Sequence, residues 1–303
     1  FYTFATNCQS DISQIETITA LQASQANQPS QAELFRHVLN DPLLGSSIWV
    51  NIALAGLSLL FFAYLGRGVD DPRGKLIVVS VMMVSAVSVA SYTGLASGLT
   101  ISVLQMPEGH AMAGATTDLA TGGTVDGTIS LWGRYLTWAF STPFILLALG
   151  LIAGSNLTKI FTAIVFDIGI MITGLAAALT TSSYLMRWVW YGISCTFFLV
   201  VVYILLFEWP EDAKAAGTAD IFSTLKVLTV VLWFGYTIWW GLGNEGLAVI
   251  QSVGLTSWGY SAFDIVAKYG FSFLVIRYVV NNVDAVGGGI SYGSTQDAAP
   301  ADD

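Results

Sequence analysis

Charge is what this sequence has least of. Of its 303 residues only 10% are Asp, Glu, Lys or Arg, against about 25% in an ordinary soluble domain. That scarcity excludes a solvated surface of normal extent. Basic residues are the scarcer sign, 11 against 20 acidic ones, for a net charge of −9. A surface of that sign repels phosphate backbones and excludes nucleic acid as a partner; it also suits a high-salt habitat. The two cysteines stand far apart, Cys8 in a polar N-terminal stretch and Cys195 in mid-span. That placement excludes a disulfide between them. No metal site is expected. The chain begins at Phe1, and no basic stretch with a cleavage site is visible there.

What is abundant is apolar. The composition is 54% hydrophobic and the mean hydropathy is +0.68. Seven apolar spans follow one another, at 46–66, 76–98, 132–153, 158–180, 185–207, 223–243 and 256–280. Each is about the 20 residues that cross a hydrocarbon core of roughly 30 Å. Backbone in lipid must satisfy its own hydrogen bonds, so the spans are predicted to be helices. The expected fold is an all-α membrane protein, a seven-helix bundle over 46–280. Residues 1–45 form an N-terminal tail with a short amphipathic helix at 31–41, ended by Pro42. Residues 281–303 are predicted to be a flexible C-terminal tail. In the long connection 105–131, Gly122-Gly123 suits the turn of a β-hairpin. Seven Lys and Arg near span ends fall on one side (Arg67, Arg73, Lys75, Lys159, Lys214, Lys226, Arg277) and two on the other (Arg36, Arg187). The positive-inside rule then places the N-terminus outside and the C-terminus in the cytoplasm.

Two basic residues, Arg134 and Lys268, and two acids, Asp167 and Asp264, remain within spans. Ionisable groups at membrane depth are costly and mark function by default. Asp264 and Lys268, four apart, share a helical face. Lys268 lies roughly 16–18 Å from the outer start of its span, near the midplane. A structural ion pair with Asp264 is the plain alternative. A desolvated amine also condenses readily with a carbonyl, which points to a Schiff-base lysine. The neighbours favour that. Trp233, Tyr236 and Trp240 fall at i, i+3 and i+7 on the sixth span, and Trp138 and Tyr191 add flat surfaces. An aromatic stripe is usually core packing; large rings this deep, around a midplane lysine, make a slot for a long planar ligand. On the third span Arg134, Thr137 and Ser141 share a face. A protonated imine at Lys268, Arg134 and Asp264 together leave one positive charge, which a low-dielectric interior does not tolerate uncompensated. Thr137 stands where a carboxylate would cancel it. The simplest compensation is a bound small anion. Asp167, within reach of Thr142, is read separately as a tie between helices.

These residues resemble the microbial type I rhodopsins, and within them the halorhodopsins, over nearly the whole chain from Glu33 to the C-terminal AAPADD. The motifs are FRHVLNDPLL, ASYTGLASGLTISVL, GRYLTWAFSTP, TGLAAALTTSS, DAKAAGTADIF and TSWGYSAFDIVAKY. The resemblance implies all-trans-retinal bound covalently at Lys268, with Asp264 as counterion. It implies chloride near Arg134, Thr137, Trp138 and Ser141, and an exit by Thr229. It implies a retinal pocket of Trp138, Thr142, Ile170, Met171, Gly174, Tyr191, Ser194, Phe198, Trp233, Tyr236, Thr237 and Trp240. The implied activity is light-driven inward chloride transport and not enzyme catalysis. It takes place in the plasma membrane of a halophilic archaeon, by a homotrimer with a carotenoid or lipid between protomers. Thr137 and Ala148 occupy the acceptor and donor positions of the proton pumps, which need tuned carboxylates there. The chain departs from the family at Thr237 and Ser85, where prolines are usual. It also departs at Ile170, with Met171 next door, at Tyr184 for a histidine, and at Trp239. These changes bear on colour and photocycle speed and leave the ion site intact. A light sensor acting through a membrane partner and a light-gated anion channel share the fold and are the competing readings.

Overall fold

A computed structural model describes residues 28–283. Cys8, most of the N-terminal tail and nearly all of the C-terminal tail lie outside the described residues. Local signals start the helices. The first, α1 (Gln31–Asn40), opens on a capping box: the Ser30 hydroxyl accepts from the Glu33 amide at 3.3 Å, and the Glu33 carboxylate accepts from the Ser30 amide at 2.8 Å. Two such reciprocal bonds satisfy amides that a helix start leaves free. It stops at Asn40, before Pro42 as expected. The next helix, however, begins at Pro42 itself and not at 46. Proline is well suited to a first helical position, and Asp41 caps it, accepting from the amides of Leu43 and Leu44 at 2.9 Å each.

Among the described residues six helices are long and apolar enough to cross a membrane. They are α2 (Pro42–Gly66), α3 (Pro72–Ala96), α4 (Gly133–Ile152), α5 (Leu157–Leu179), α6 (Tyr184–Ala215) and α7 (Ala219–Leu242). The fifth runs past the predicted 207 because a π-helical stretch, Ile204–Glu208, carries it into Trp209–Ala215 without a break. The seventh span is continuous but composite: α8 (Val253–Asp264), a π-helical turn (Ile265–Gly270) and α9 (Phe271–Asn281). Leu57, Leu60 and Val165 point outward, each more than 60% exposed. In water such a surface would aggregate; in lipid it is the solvated face.

The connection from α3 to α4 folds over one end of the bundle. Strand β2 (Thr116–Asp118) pairs antiparallel with β3 (Thr124–Asp126) about Gly122-Gly123, the predicted hairpin. Strand β1 (Ser102–Leu104) pairs with β4 (Thr128–Ser130). Gly127, between β3 and β4, has φ +123°, and a Cβ there would run into the Leu104 backbone, so only glycine fits. Helix α1 packs onto this structure through Leu34 and Val38, in one core with Leu119, Val125 and Ile129.

His37 fastens α1 to the hairpin: its Nδ1 accepts from the Ala120 amide at 3.1 Å. Burial depresses its pKa below the ordinary 6.5, with Asp41 opposing. A lone pair that accepts cannot carry a proton, so the bond holds only while the imidazole is neutral. Because the folded pKa lies below the unfolded one, this contribution is full above about 6.5 and is lost as the pH falls through the folded value. Hydrogen exchange at the Ala120 amide, corrected for the intrinsic pH dependence, is therefore expected to lose its protection as the pH falls through that depressed value. Protection that stays level through that fall would refute this.

Candidate functional site: an aromatic slot ending on a buried lysine

The last five spans enclose a cavity of about 790 Å³, the volume of its opening included. Every one of the twelve predicted pocket residues lines it. Tyr135, Ile145, Cys195, Tyr260 and Ala267 line it too, and sequence reasoning missed them. Lys268 closes one end. The walls are flat rings set against each other: Tyr191 stacks on Trp240 with centroids 4.6 Å apart at 16°, and Trp138 meets Tyr236 edge-on at 5.5 Å. Gly174 leaves the Tyr135 ring room that a Cβ, at 3.3 Å, would crowd. A narrow aromatic channel with one amine at its end fits a polyene aldehyde such as retinal. Thr237, which stands where proline is usual in the family, leaves α7 unbroken. Its hydroxyl returns to the Trp233 carbonyl at 3.1 Å, while its own carbonyl accepts from Tyr191. Trp239 turns away from the cavity and lies over Gly259 of α8, donating to the Thr256 carbonyl at 3.0 Å.

Lys268 is 1% exposed, and its Nζ lies 3.1 Å from Asp264 Oδ2. Geometry admits an ion pair and no aligned hydrogen bond, since Nζ has no hydrogen-bond partner. Three donors from three other helices hold the Asp264 carboxylate. Tyr92 donates to Oδ2 at 2.5 Å, Tyr236 to Oδ1 at 2.5 Å, and Trp138 Nε1 to Oδ1 at 3.3 Å. The acid is immobile and saturated. Tyr92 had no charge or spacing to mark it in the sequence; only this junction reveals it. Arg134, 3% exposed, donates to the Tyr92 hydroxyl at 3.3 Å and to Ser257, and its Nε has no partner.

Thr137 and Ser141 are both buried on the Arg134 face of α4, yet they differ. The Thr137 hydroxyl donates back to the Gly133 carbonyl at 3.1 Å, so it offers neutrality and a methyl. The Ser141 hydroxyl has no partner and keeps its proton for a ligand. Asp167 stands apart: Thr142 donates to its Oδ2 at 2.6 Å, which joins α4 to α5. Thr229, on α7, is buried with a free hydroxyl and does not line the cavity.

Arg187, counted from the sequence as a span-end group, is buried, and so is Glu245. Arg187 is fully enclosed. It donates to the carbonyls of Ala178 and Thr180 at 2.9 Å and of Glu245 at 2.7 Å. Glu245 accepts from Ser130 at 3.0 Å and Tyr135 at 2.8 Å. The folded connection β1–β4 covers this end, and backbone carbonyls and hydroxyls replace the water that both groups lose. Together with Arg134, Glu245 lines a second, smaller cavity outside the aromatic slot.

Comparison with known proteins now settles the family. Residues 42–282 match the model of the bacteriorhodopsin-like proteins. The halorhodopsin of Natronomonas pharaonis is 63% identical over 95% of this chain and 97% of its own length. The chain belongs to the bacteriorhodopsin-like family, in its halorhodopsin branch. Cruxhalorhodopsin-3 of Haloarcula vallismortis is 58% identical over 91% of this chain and 96% of its own. A solved structure described as halorhodopsin, a light-driven chloride pump, superposes with a TM-score of 0.76 at 53% identity, over 82% of this chain and 99% of that one. A light-driven proton pump from Leptosphaeria maculans superposes with a TM-score of 0.69 at 26% identity, over 79% and 95%. The fold is thus common to both kinds of pump, and the higher identity lies on the chloride side.

Proposed function

We propose that this protein is a light-driven chloride pump that carries halide inward, with retinal bound covalently at Lys268. The observation that carries the reading is the charge set at the closed end of the slot. Two cations, Lys268 and Arg134, face one saturated carboxylate, Asp264, with neutral Thr137 and the free Ser141 hydroxyl beside them. A halide supplies the missing negative charge.

Retinal bound there supplies the absorption of light and, by isomerising, a change in the direction of the positive N–H at Lys268. The protein's own residues do the rest. Arg134, fixed on Tyr92 and Ser257, draws the halide in from the end that carries the β-strands. Trp138 and Ser141 hold it, with Thr137 leaving room. Asp264, clamped by three donors, stays behind when the mobile charge changes sides. The halide then leaves past Lys268 towards Thr229. Such alternating access needs two states and differential affinity in each. We place the N-terminus outside and the basic span ends in the cytoplasm, in the plasma membrane of a halophile. We expect a homotrimer with a carotenoid or lipid between protomers.

The test is the visible spectrum titrated with chloride, combined with photocurrent at zero voltage. The expected result is a halide-dependent shift of the band and a steady inward chloride current. A current that reverses at the chloride potential would make this a channel. No current would make it a sensor. A band indifferent to halide would remove the anion site.

A further inference from the structure

The aromatic slot has an opening, and its place follows from which wall residues are covered. Every lining residue contributed by α4 and by the seventh span is buried. The half-buried ones stand on three helices: Met171 and Gly174 on α5, Tyr191 and Cys195 on α6, Tyr236 and Thr237 on α7. Two of the seams along these helices are shut. Between α5 and α6 the Ser194 hydroxyl donates to the Ile170 carbonyl at 2.9 Å, and Phe166 meets Phe197 with centroids 5.8 Å apart. Between α7 and the seventh span Tyr236 donates to Asp264, Trp239 donates to the Thr256 carbonyl, and the Phe263 ring lies against Gly235. The seam between α6 and α7 differs. Among the described residues one hydrogen bond joins these two helices, from the Tyr191 hydroxyl to the Thr237 carbonyl at 3.1 Å. Beside it the gap is spanned by ring pairs, Tyr191 on Trp240 and Phe198 against Phe234, with centroids 4.6 and 4.9 Å apart.

The other ways in are closed. At the inner end Leu146, Leu149, Val201 and Trp209 are each 0% exposed and form one core with the slot residues Phe198 and Trp233. At the outer end Glu245 is held by Ser130 and Tyr135 under the folded connection. A long polyene is driven out of water and into hydrocarbon. The outward faces of α6 and α7 suit that phase, with Leu199, Phe234 and Ile238 exposed.

We propose that the seam between α6 and α7 is the port through which retinal enters from the lipid, with Tyr191 as its latch. This rests on the reading that Lys268 carries retinal. The slot is closed at Lys268 and open at the seam, so the aldehyde goes in first and the ring end comes to rest beside Tyr191. Opening the port breaks one hydrogen bond and parts two ring pairs, and no buried charge moves. Parting apolar rings costs little in a bilayer, because lipid tails are as apolar as the rings' own neighbours. The Tyr191 hydroxyl finds no acceptor in hydrocarbon, so its bond to Thr237 draws the port shut again. Gly241 keeps the seam clear. A Cβ there would stand 3.8 Å from the Tyr191 hydroxyl, and Gly241 itself does not line the slot.

The experiment uses the full chain prepared without retinal in lipid vesicles, with all-trans-retinal added in excess. Entry is read as quenching of tryptophan emission, since Trp138, Trp233 and Trp240 line the slot; attachment is read as growth of the visible band. Gly241→Leu fills the seam and is expected to slow entry about tenfold, with the final band at its wild-type position and height. Tyr191→Phe keeps the ring, removes the latch and is expected to speed entry about fivefold, the equivalent of one ordinary hydrogen bond. Gly56→Leu is the same change on α2, where a Cβ meets no atom within 4 Å, and should load at the wild-type rate. Wild-type rates in both Gly241→Leu and Tyr191→Phe would overturn the port. So would slowing that Gly56→Leu shares, or a Gly241→Leu band reduced in height at an unchanged rate. If the wild type shows quenching and no visible band, the reading of Lys268 fails, and the port stands or falls on the quenching rates.

Discussion

Lys268→Ala, reconstituted with retinal, is expected to show no visible chromophore band and no light-driven current. The loss should be complete and not graded, because no other amine can take over. Apart from Lys268 the sequence has four lysines, Lys75, Lys159, Lys214 and Lys226, and none of them lines the aromatic slot. The substitution also strands Asp264, which is 1% exposed. Breaking one partner out of a buried ion pair costs about 3–5 kcal/mol, enough to threaten folding. The double variant Lys268→Ala with Asp264→Asn removes both charges, and the Asn amide still accepts from Tyr92, Tyr236 or Trp138. Folding of that variant, judged by its helical circular dichroism, together with absence of a band is the expected pair of results. A surviving visible band in a folded Lys268→Ala protein would refute the attachment site, and with it the charge balance that calls for a halide.

Thr137→Asp has the second largest expected effect, and it acts on the halide alone. It places a carboxylate one turn from Arg134 and one turn from Ser141. Two like charges about 4 Å apart repel by about 4 kcal/mol at an effective dielectric of 20. Halving that for a longer separation still leaves roughly a thirtyfold loss of chloride affinity. The measurement is the chloride titration of the visible band. Thr137→Val should have little effect, because the Thr137 hydroxyl is already given to the Gly133 carbonyl. Ser141→Ala should weaken binding about tenfold, since it deletes a free donor to an anion and such bonds contribute about 1.5–3 kcal/mol. Wild-type affinity in Thr137→Asp would place the anion elsewhere.

The three responses also separate what sequence and structure contribute. Arg134, Thr137 and Ser141 are legible as one face because helical spacing is regular and intramembrane charge is rare. The same regularity made Trp233, Tyr236 and Trp240 readable as a wall. Which hydroxyl is free and which returns to its own backbone is a matter of rotamer and neighbours, and the sequence is silent on it. Tyr135 and Tyr260 escaped notice because one follows an arginine and the other precedes a serine, with no spacing to link them. Arg187 is legible as a span-end residue, a place that suggests water, and only the fold shows it enclosed, with Glu245 beside it. The seventh span was located correctly, but its wide turn has no composition of its own.

That turn, Ile265–Gly270, sets the rotational phase of everything after it. Eight residues of regular α-helix overshoot two full turns by about 80°, so in a uniform helix Ser272 would look a quarter-turn away from the Asp264 side. A π-helical turn spreads one revolution over more residues and takes up much of that excess. The helix therefore leaves Lys268 on a different phase from the one a uniform helix would keep. The irregularity beside the lysine acts as a phase shifter between the half of the span that carries Asp264 and the half that follows it.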